Sequence, residues 1–165
     1  MAKRHPAVEQ KLIGLADLVI AAAAKKKDPA ISIPVRSLSN VKFNAKKGYI
    51  EMGSNKQMRT FFNVGMAKKF MQTMLVADAL AELQKADLTT SLREIYYRTK
   101  HTMGDSHENT FDDQAESDPV IEDLEVGLAA LREEFHVRAE NSGTIIGPVV
   151  FEDDGDKVDC ARLGK

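Results

Sequence analysis

The chain has 165 residues, 43% of them apolar, a single cysteine and a net charge of −2, which suits one domain with extensions and a core that needs no disulfides. Cys160 has no partner in the chain, as expected of a reducing compartment; no stretch reaches the ~18 apolar residues of a membrane span, and the apolar run at 15–24 is broken by Asp17 and followed by three lysines, unlike a secretory signal. The charge is uneven: the first hundred residues carry 18 Lys+Arg against 8 Asp+Glu and the rest carry 5 against 17, so the first part suits a polyanion such as nucleic acid and the second suits basic partners, metal or a solvated surface.

Val8, Leu12, Leu15, Val19 and Ala22 recur at helical spacing, predicting a helix over 7–27 that Asp28-Pro29 stops. Residues 30–54 predict a small β element of three strands: Ile31 and Ile33 alternate before Pro34, Val41 and Phe43 alternate again, and a turn at 44–48 leads to Tyr49, Ile50 and Met52. A long helix is expected over 61–85, with Phe62, Met66, Phe70, Met74, Ala77 and Leu80 as its core stripe and Lys68, Lys69 and Gln72 pointing elsewhere.

After a short connection, Ser91 and Glu94 have the spacing of a capping box and open a helix running to His101. Residues 103–117 read as a polar loop. A third helix is expected to begin at Ser117-Asp-Pro119 and end near Arg138, burying Ile121, Leu124, Leu128, Leu131 and Phe135. Its Glu122, Asp123, Glu125, Glu133 and Glu134 face only Arg132 and Arg138 in the local sequence, which argues against a base-reading helix. A β pair, 144–146 with 149–151, follows. Helices followed by a hairpin are the order of a winged helix.

The stretch 91–101 concentrates the candidate chemistry. On a helix Leu92, Ile95, Tyr96 and Thr99 share one face, while Arg93, Tyr97, Lys100 and His101 share another. Tyr96 therefore reads as packing and Tyr97 as a phenol among cations. Positive neighbours favour phenolate, and Arg93 one turn earlier can hold a phosphate with its planar fork. The acidic run at 152–156 with Asp159 lacks the order of a calcium loop and reads as a solvated hairpin end. The four histidines and Cys160 show no zinc pattern, and no Gly-rich phosphate loop occurs.

Leu92-Arg-Glu-Ile-Tyr-Tyr97 resembles the nucleophile motif of the A subunits of type IIB DNA topoisomerases (topoisomerase VI) and of the related meiotic double-strand-break proteins. Four further segments resemble the same family in order: Ile33-Pro-Val-Arg-Ser-Leu-Ser-Asn40 with its Pro-x-Arg-x-x-x-Asn pattern, the acidic stretch 116–125, Leu131-Arg-Glu-Glu-Phe-His136, and 156–160. The resemblance covers most of the chain from about residue 30.

It implies an α+β fold, with a helix and small β element (1–60) preceding a winged-helix, or 5Y-CAP, DNA-binding domain (61–152) and a linker (153–165) toward a Toprim domain. It implies that Tyr97 attacks a DNA phosphodiester and becomes joined to a 5′ end, assisted by Arg93. The candidate DNA-contacting cations are Lys68, Lys69, Arg98, Lys100, His101 and Arg138, and no metal ligand is assigned in this chain. The complete enzyme is expected to be an ATP-dependent A2B2 heterotetramer acting on double-stranded DNA, cytoplasmic and nucleoid-associated. Its magnesium ligands would lie in Toprim residues outside this chain, and ATP would bind the B subunit; the chain alone would be inactive. Helix 7–27 is a candidate surface for the B subunit, or packs on its own domain. Two other readings of the residues stay open: a winged-helix module that binds DNA without cutting it, and a domain that only scaffolds a partner.

Overall fold

A computed structural model of the chain describes residues 6–46, 48–138, 147–153 and 156–161. It is α+β, as expected, with four α-helices and four two-stranded sheets among those residues. Helix α1 (Pro6–Ala24) buries Val8 and Leu12 and packs Leu15 and Val19 beside them, the predicted stripe. It stops three residues short of the expected end. Lys26 turns left-handed and the Lys27 amide returns to the Ala22 carbonyl at 3.0 Å, a closed C-terminus that needs no proline. The Lys11 ammonium donates to the carbonyls of Leu128 (2.6 Å) and Ala129 (3.1 Å), so α1 also caps another helix.

The β element holds four strands, not three. Strand β1 (Ala30–Pro34) pairs antiparallel with β4 (Lys56–Thr60), and β2 (Val41–Asn44) pairs with β3 (Tyr49–Met52). β4 escaped the sequence pattern because Lys-Gln-Met-Arg-Thr has no apolar alternation; its buried position is filled by Arg59. Asn40 ties the two strand pairs together. Its Nδ2 donates to the carbonyls of Val35 (2.8 Å) and Asn55 (2.9 Å), and its Oδ1 accepts from the Asn55 amide (3.0 Å). Gly53 passes so close that a Cβ there would lie 2.8 Å from the Asn40 carbonyl oxygen.

Helix α2 (Val64–Ala86) is the central element. Asn63 caps it by accepting from the Gly65 amide at 3.0 Å, and Phe70, Val76, Ala77, Leu80 and Leu83 face the core. Phe62 lies before the helix and is exposed, whereas Gln72, read as outward, is buried. Its amide is satisfied there, donating to the Thr110 carbonyl at 2.7 Å, so a polar side chain takes an inner position at no cost in unpaired groups. Strand β5 (Thr90–Ser91) leads into α3 (Leu92–Thr99), where Ser91 accepts from the Glu94 amide at 3.2 Å as the cap predicts.

The third helix of the sequence reading differs at both ends. α4 (Gln114–Leu128) starts earlier, capped by Asp113, whose carboxylate accepts from the Glu116 amide at 3.1 Å. Pro119 consequently lies inside the helix, where it removes one backbone donor. The helix ends at Leu128 because Ala129 turns left-handed and the Ala130 amide returns to the Glu125 carbonyl at 3.0 Å. A separate 3-10 turn, Arg132–Phe135, then buries Phe135 but exposes Leu131, so the apolar spacing there was not one helical face. Strand β6 (Val137–Arg138) pairs parallel with β5, which no local pattern announced.

Of the expected terminal hairpin, 144–146 lies outside the described residues. β7 (Val150–Asp153) pairs with β8 (Asp156–Asp159), inside the stretch read as linker. The described part of the acidic run thus belongs to a hairpin, Asp153 pairing with Asp156. Cys160 is buried and free, its amide bonded to the Val149 carbonyl at 2.9 Å.

Candidate tyrosine site and nucleic-acid interface

Helix α3 sorts its adjacent tyrosines by phase. Ile95, Tyr96 and Thr99 are buried, and Tyr96 is 8% exposed; Tyr97 is 61% exposed, and Arg93, one turn before it, is exposed on the same face. The Tyr96 hydroxyl donates to the Asp112 carbonyl at 3.0 Å. The two rings are tilted at 52° with centroids 5.2 Å apart.

The helix is held from behind by residues that sequence reasoning passed over as loop. The Thr110 hydroxyl donates to the Thr99 carbonyl (2.7 Å) and accepts from the His101 amide (2.8 Å), Gln72 holds the Thr110 carbonyl, and Phe111 is fully buried in the core. Asp112 joins α2 to α3. Its carbonyl receives Tyr96, and its carboxylate pairs with Lys68 at 3.0 Å. Lys68 also lies 3.7 Å from Glu116. The pair holds the Asp112 carboxyl below its ordinary range and raises Lys68. The available signal was the apolar Phe111 inside an otherwise polar run.

The other candidate cations are distributed differently from their expected faces. Lys100 is the C-cap residue of α3: its amide still bonds the Tyr96 carbonyl at 2.9 Å, and its side chain turns to Tyr96, one turn back. Its ammonium donates to the Tyr96 hydroxyl at 2.7 Å and to the Asp112 carbonyl at 3.4 Å. That bond to Tyr96 raises the Lys100 pKa. His101 is likewise past the helix, exposed and tied by its backbone to Thr110. Lys69 is half-buried and donates to the Glu116 carbonyl at 3.3 Å; burial lowers its pKa, with Arg59 adding to the effect. Arg98 pairs with Glu82 at 3.1 Å, and Arg138 is exposed on β6.

The acidic helix is not a bare anionic face. Arg59 and Asp123, each 7% exposed, form a close ion pair, and Arg59 also donates to the Thr73 hydroxyl at 2.9 Å. Arg36 donates to Asp123 at 2.7 Å, to Glu122 in a second close pair, and to the Pro119 carbonyl at 3.2 Å. Arg132 pairs with Glu125 at 2.5 Å, and Glu134 accepts from the Leu131 amide at 2.8 Å. The premise that these carboxylates face only Arg132 and Arg138 is therefore corrected: α4 is a receptor for arginines from the β element. Its acidity bears on the fold and says little about DNA. Among the described residues no three His, Cys, Asp or Glu side chains converge as a metal site. No helix of the described residues is long and apolar enough to cross a membrane.

This small α+β scaffold buries one tyrosine of an adjacent pair and exposes the next, one turn from an arginine. Residues 68–137, which include this scaffold, match the family model for type IIB DNA topoisomerase. The chain belongs to that family. Its relatives there are A subunits of type 2 DNA topoisomerase 6. It is 42% identical over 157 residues to the one from Pyrococcus horikoshii, covering 95% of this chain and 41% of the relative. It is 35% identical to that of Methanocaldococcus jannaschii, covering 98% and 44%, and 34% identical to that of Halobacterium salinarum, covering 73% and 33%. The chain thus spans about two-fifths of the length of the first two of these relatives and about a third of the last.

Proposed function

We propose that the chain is the DNA-binding and strand-cleaving portion of the A subunit of an ATP-dependent type IIB DNA topoisomerase, with Tyr97 as nucleophile and Arg93 as its assistant at the phosphate. The observation that carries this is the division within the tyrosine pair: Tyr96 is locked into the core by Asp112, while Tyr97 stands in solvent one turn from Arg93.

In the step proposed, the Tyr97 phenol gives its proton to water and its oxygen forms a bond to phosphorus. The bond from phosphorus to the DNA 3′ oxygen breaks, and that oxygen takes a proton from water. The 5′ phosphate stays on Tyr97, and resealing reverses the exchange with no net change in electrons. Arg93 offsets charge as it builds on the phosphate oxygens. We read α2, α3 and α4 with the strands after them as a winged helix carrying this site, preceded by the helix and β element of 1–60. Lys68, Lys69, Arg98, Lys100, His101 and Arg138 are the proposed backbone-contacting cations. Since Lys68, Lys69 and Arg98 are engaged by protein groups, DNA would compete for them. Double-stranded DNA, a B subunit in an A2B2 assembly, ATP on that subunit and magnesium on residues outside this chain complete the proposal.

The test is covalent capture, with this segment in a full-length A subunit plus B subunit, DNA, magnesium and a nucleotide analogue. Tyr97→Phe should bind DNA and form no adduct, and peptide mapping of the unmutated protein should find DNA on Tyr97. An adduct on Tyr96, or one that persists in Tyr97→Phe, would exclude the assignment.

A further inference from the structure

An exposed aromatic cluster stands at the start of α2. Phe61 and Phe62 are 46% and 71% exposed, and Val64, the first residue of the helix, is 94% exposed. Single exposed apolar residues need no explanation, but these adjoin one another and make a patch. The patch is held in place. The Phe62 amide donates to the Asp28 carboxylate and the Phe61 amide to the Pro29 carbonyl, each at 3.0 Å. The Phe62 ring meets Phe61 edge-on with centroids 5.3 Å apart, and Phe61 meets the buried Phe70 in the same way at 5.6 Å. A solvent-facing ring is thus anchored to the core through two ring contacts.

The bonds to Asp28 and Pro29 bring a second feature alongside. Lys25, Lys26 and Lys27 immediately precede them, and all three are exposed. The closed end of α1 fixes their backbone. Lysines there also complement the negative end of the α1 dipole. That role requires neither three in succession nor a bare ring beside them. Asp28 is the one acid of this turn, and one of its oxygens accepts from the Phe62 amide. An apolar partner covering the ring would strip water from the ammonium groups next to it, whereas phosphates attract them.

We propose that Phe62 with Lys25, Lys26 and Lys27 forms a second contact on the bound duplex, on the flank of the cleavage site. The lysines hold phosphates, and the Phe62 ring acts as an apolar wedge at a base step. This rests on the DNA-cleaving reading above. Apolar side chains that enter the minor groove partly unstack a base step and kink the duplex. The patch is joined to the tyrosine helix through α2. Val64 and Lys68 lie one turn apart, Lys68 pairs with Asp112 at 3.0 Å, and the Asp112 carbonyl holds Tyr96 at 3.0 Å.

The experiment uses the complete A and B assembly with magnesium and duplexes that contain a mapped cleavage site. A fluorescent purine analogue, whose emission rises when it unstacks, is placed at successive positions outward from that site. The unmutated assembly should raise the emission at one flanking position. Phe62→Ala should lose that rise and leave the salt dependence of binding unchanged, since no charge is removed. Phe62→Leu should keep most of the rise, because leucine also serves as a wedge. Replacing Lys25, Lys26 and Lys27 together with Gln should lower the slope of log affinity against log salt by about 2 to 3, at roughly 0.9 for each phosphate contact. All of these side chains are exposed, and thermal unfolding checks that the variants fold. No rise at any position, a rise that persists in Phe62→Ala, or an unchanged slope in the lysine variant would overturn the inference. Loss of the B subunit on size-exclusion chromatography, with DNA binding unchanged, would likewise overturn it and give the patch to a protein. Mapping the adduct separates the two levels. Without DNA on Tyr97 in the unmutated assembly, the underlying reading fails; with it, variants that match the unmutated protein fail only this inference.

Discussion

Replacing Asp123 with Ala removes the centre of the ion network between the β element and α4. Arg59 is 7% exposed and its guanidinium is held by Asp123 and the Thr73 hydroxyl, so the variant leaves a buried cation with one neutral acceptor. Breaking a buried pair from one side costs about 3–5 kcal/mol, far more than a surface pair contributes. Against a total stability of about 5–15 kcal/mol for a domain this is a large share, equivalent to a fall in Tm on the order of 10 °C at this chain length. Arg36 is the internal control. Its side chain is 30% exposed and it also bonds Glu122, so Arg36→Ala should cost roughly 1 kcal/mol. The double variant Arg59→Met/Asp123→Leu should recover most of the Asp123→Ala loss, because neither charge is then buried alone. Urea unfolding followed by circular dichroism gives the three values. A loss below about 1 kcal/mol in Asp123→Ala, or no recovery in the double variant, would refute the account of α4 as an arginine receptor.

Asp112→Asn should strengthen DNA binding a few-fold and steepen its salt dependence by about one counterion, as Lys68 becomes available to a phosphate; a fluorescence-anisotropy salt series reads both. The Asp112–Lys68 pair has a defined pH sense. The Asp112 carboxyl is depressed in the folded chain, so its contribution is present above the ordinary carboxylate pKa and is lost as pH falls through the lower folded value; an NMR titration of its side-chain carbon should show that early ionisation, and Lys68→Met should lessen it. Gly53→Ala should destabilise by roughly 1–3 kcal/mol, because its methyl meets both the Asn40 side-chain oxygen, which the Asn55 amide holds, and the Asn40 backbone carbonyl, which cannot swing away; thermal unfolding measures it. Lys11→Met should cost about 1 kcal/mol by leaving two carbonyls at the α4 terminus to water, and faster amide exchange in the last turn of α4 would locate the effect.

Much of this protein is settled by local chemistry that the sequence displays. Helical phase alone puts Tyr96 inward and Tyr97 outward, since consecutive residues on a helix lie about 100° apart and Ile95, Tyr96 and Thr99 define the apolar side. Ser91 sets the start of α3 because its hydroxyl and the Glu94 amide are three residues apart, and the same Asp-x-x-Glu spacing at Asp113 and Glu116 marks the true start of α4. Tertiary structure decided what each charge is for. Asp123 is joined to Arg36 and Arg59 across 87 and 64 residues, and Lys100 reaches the Asp112 carbonyl only because the segment after α3 folds back and sets that carbonyl against Tyr96. Side-chain pairing at such separations depends on packing, which brings the partners within 3 Å; residue type and spacing carry no record of it, so the acids of α4 looked like a surface and serve as the clasp of the fold.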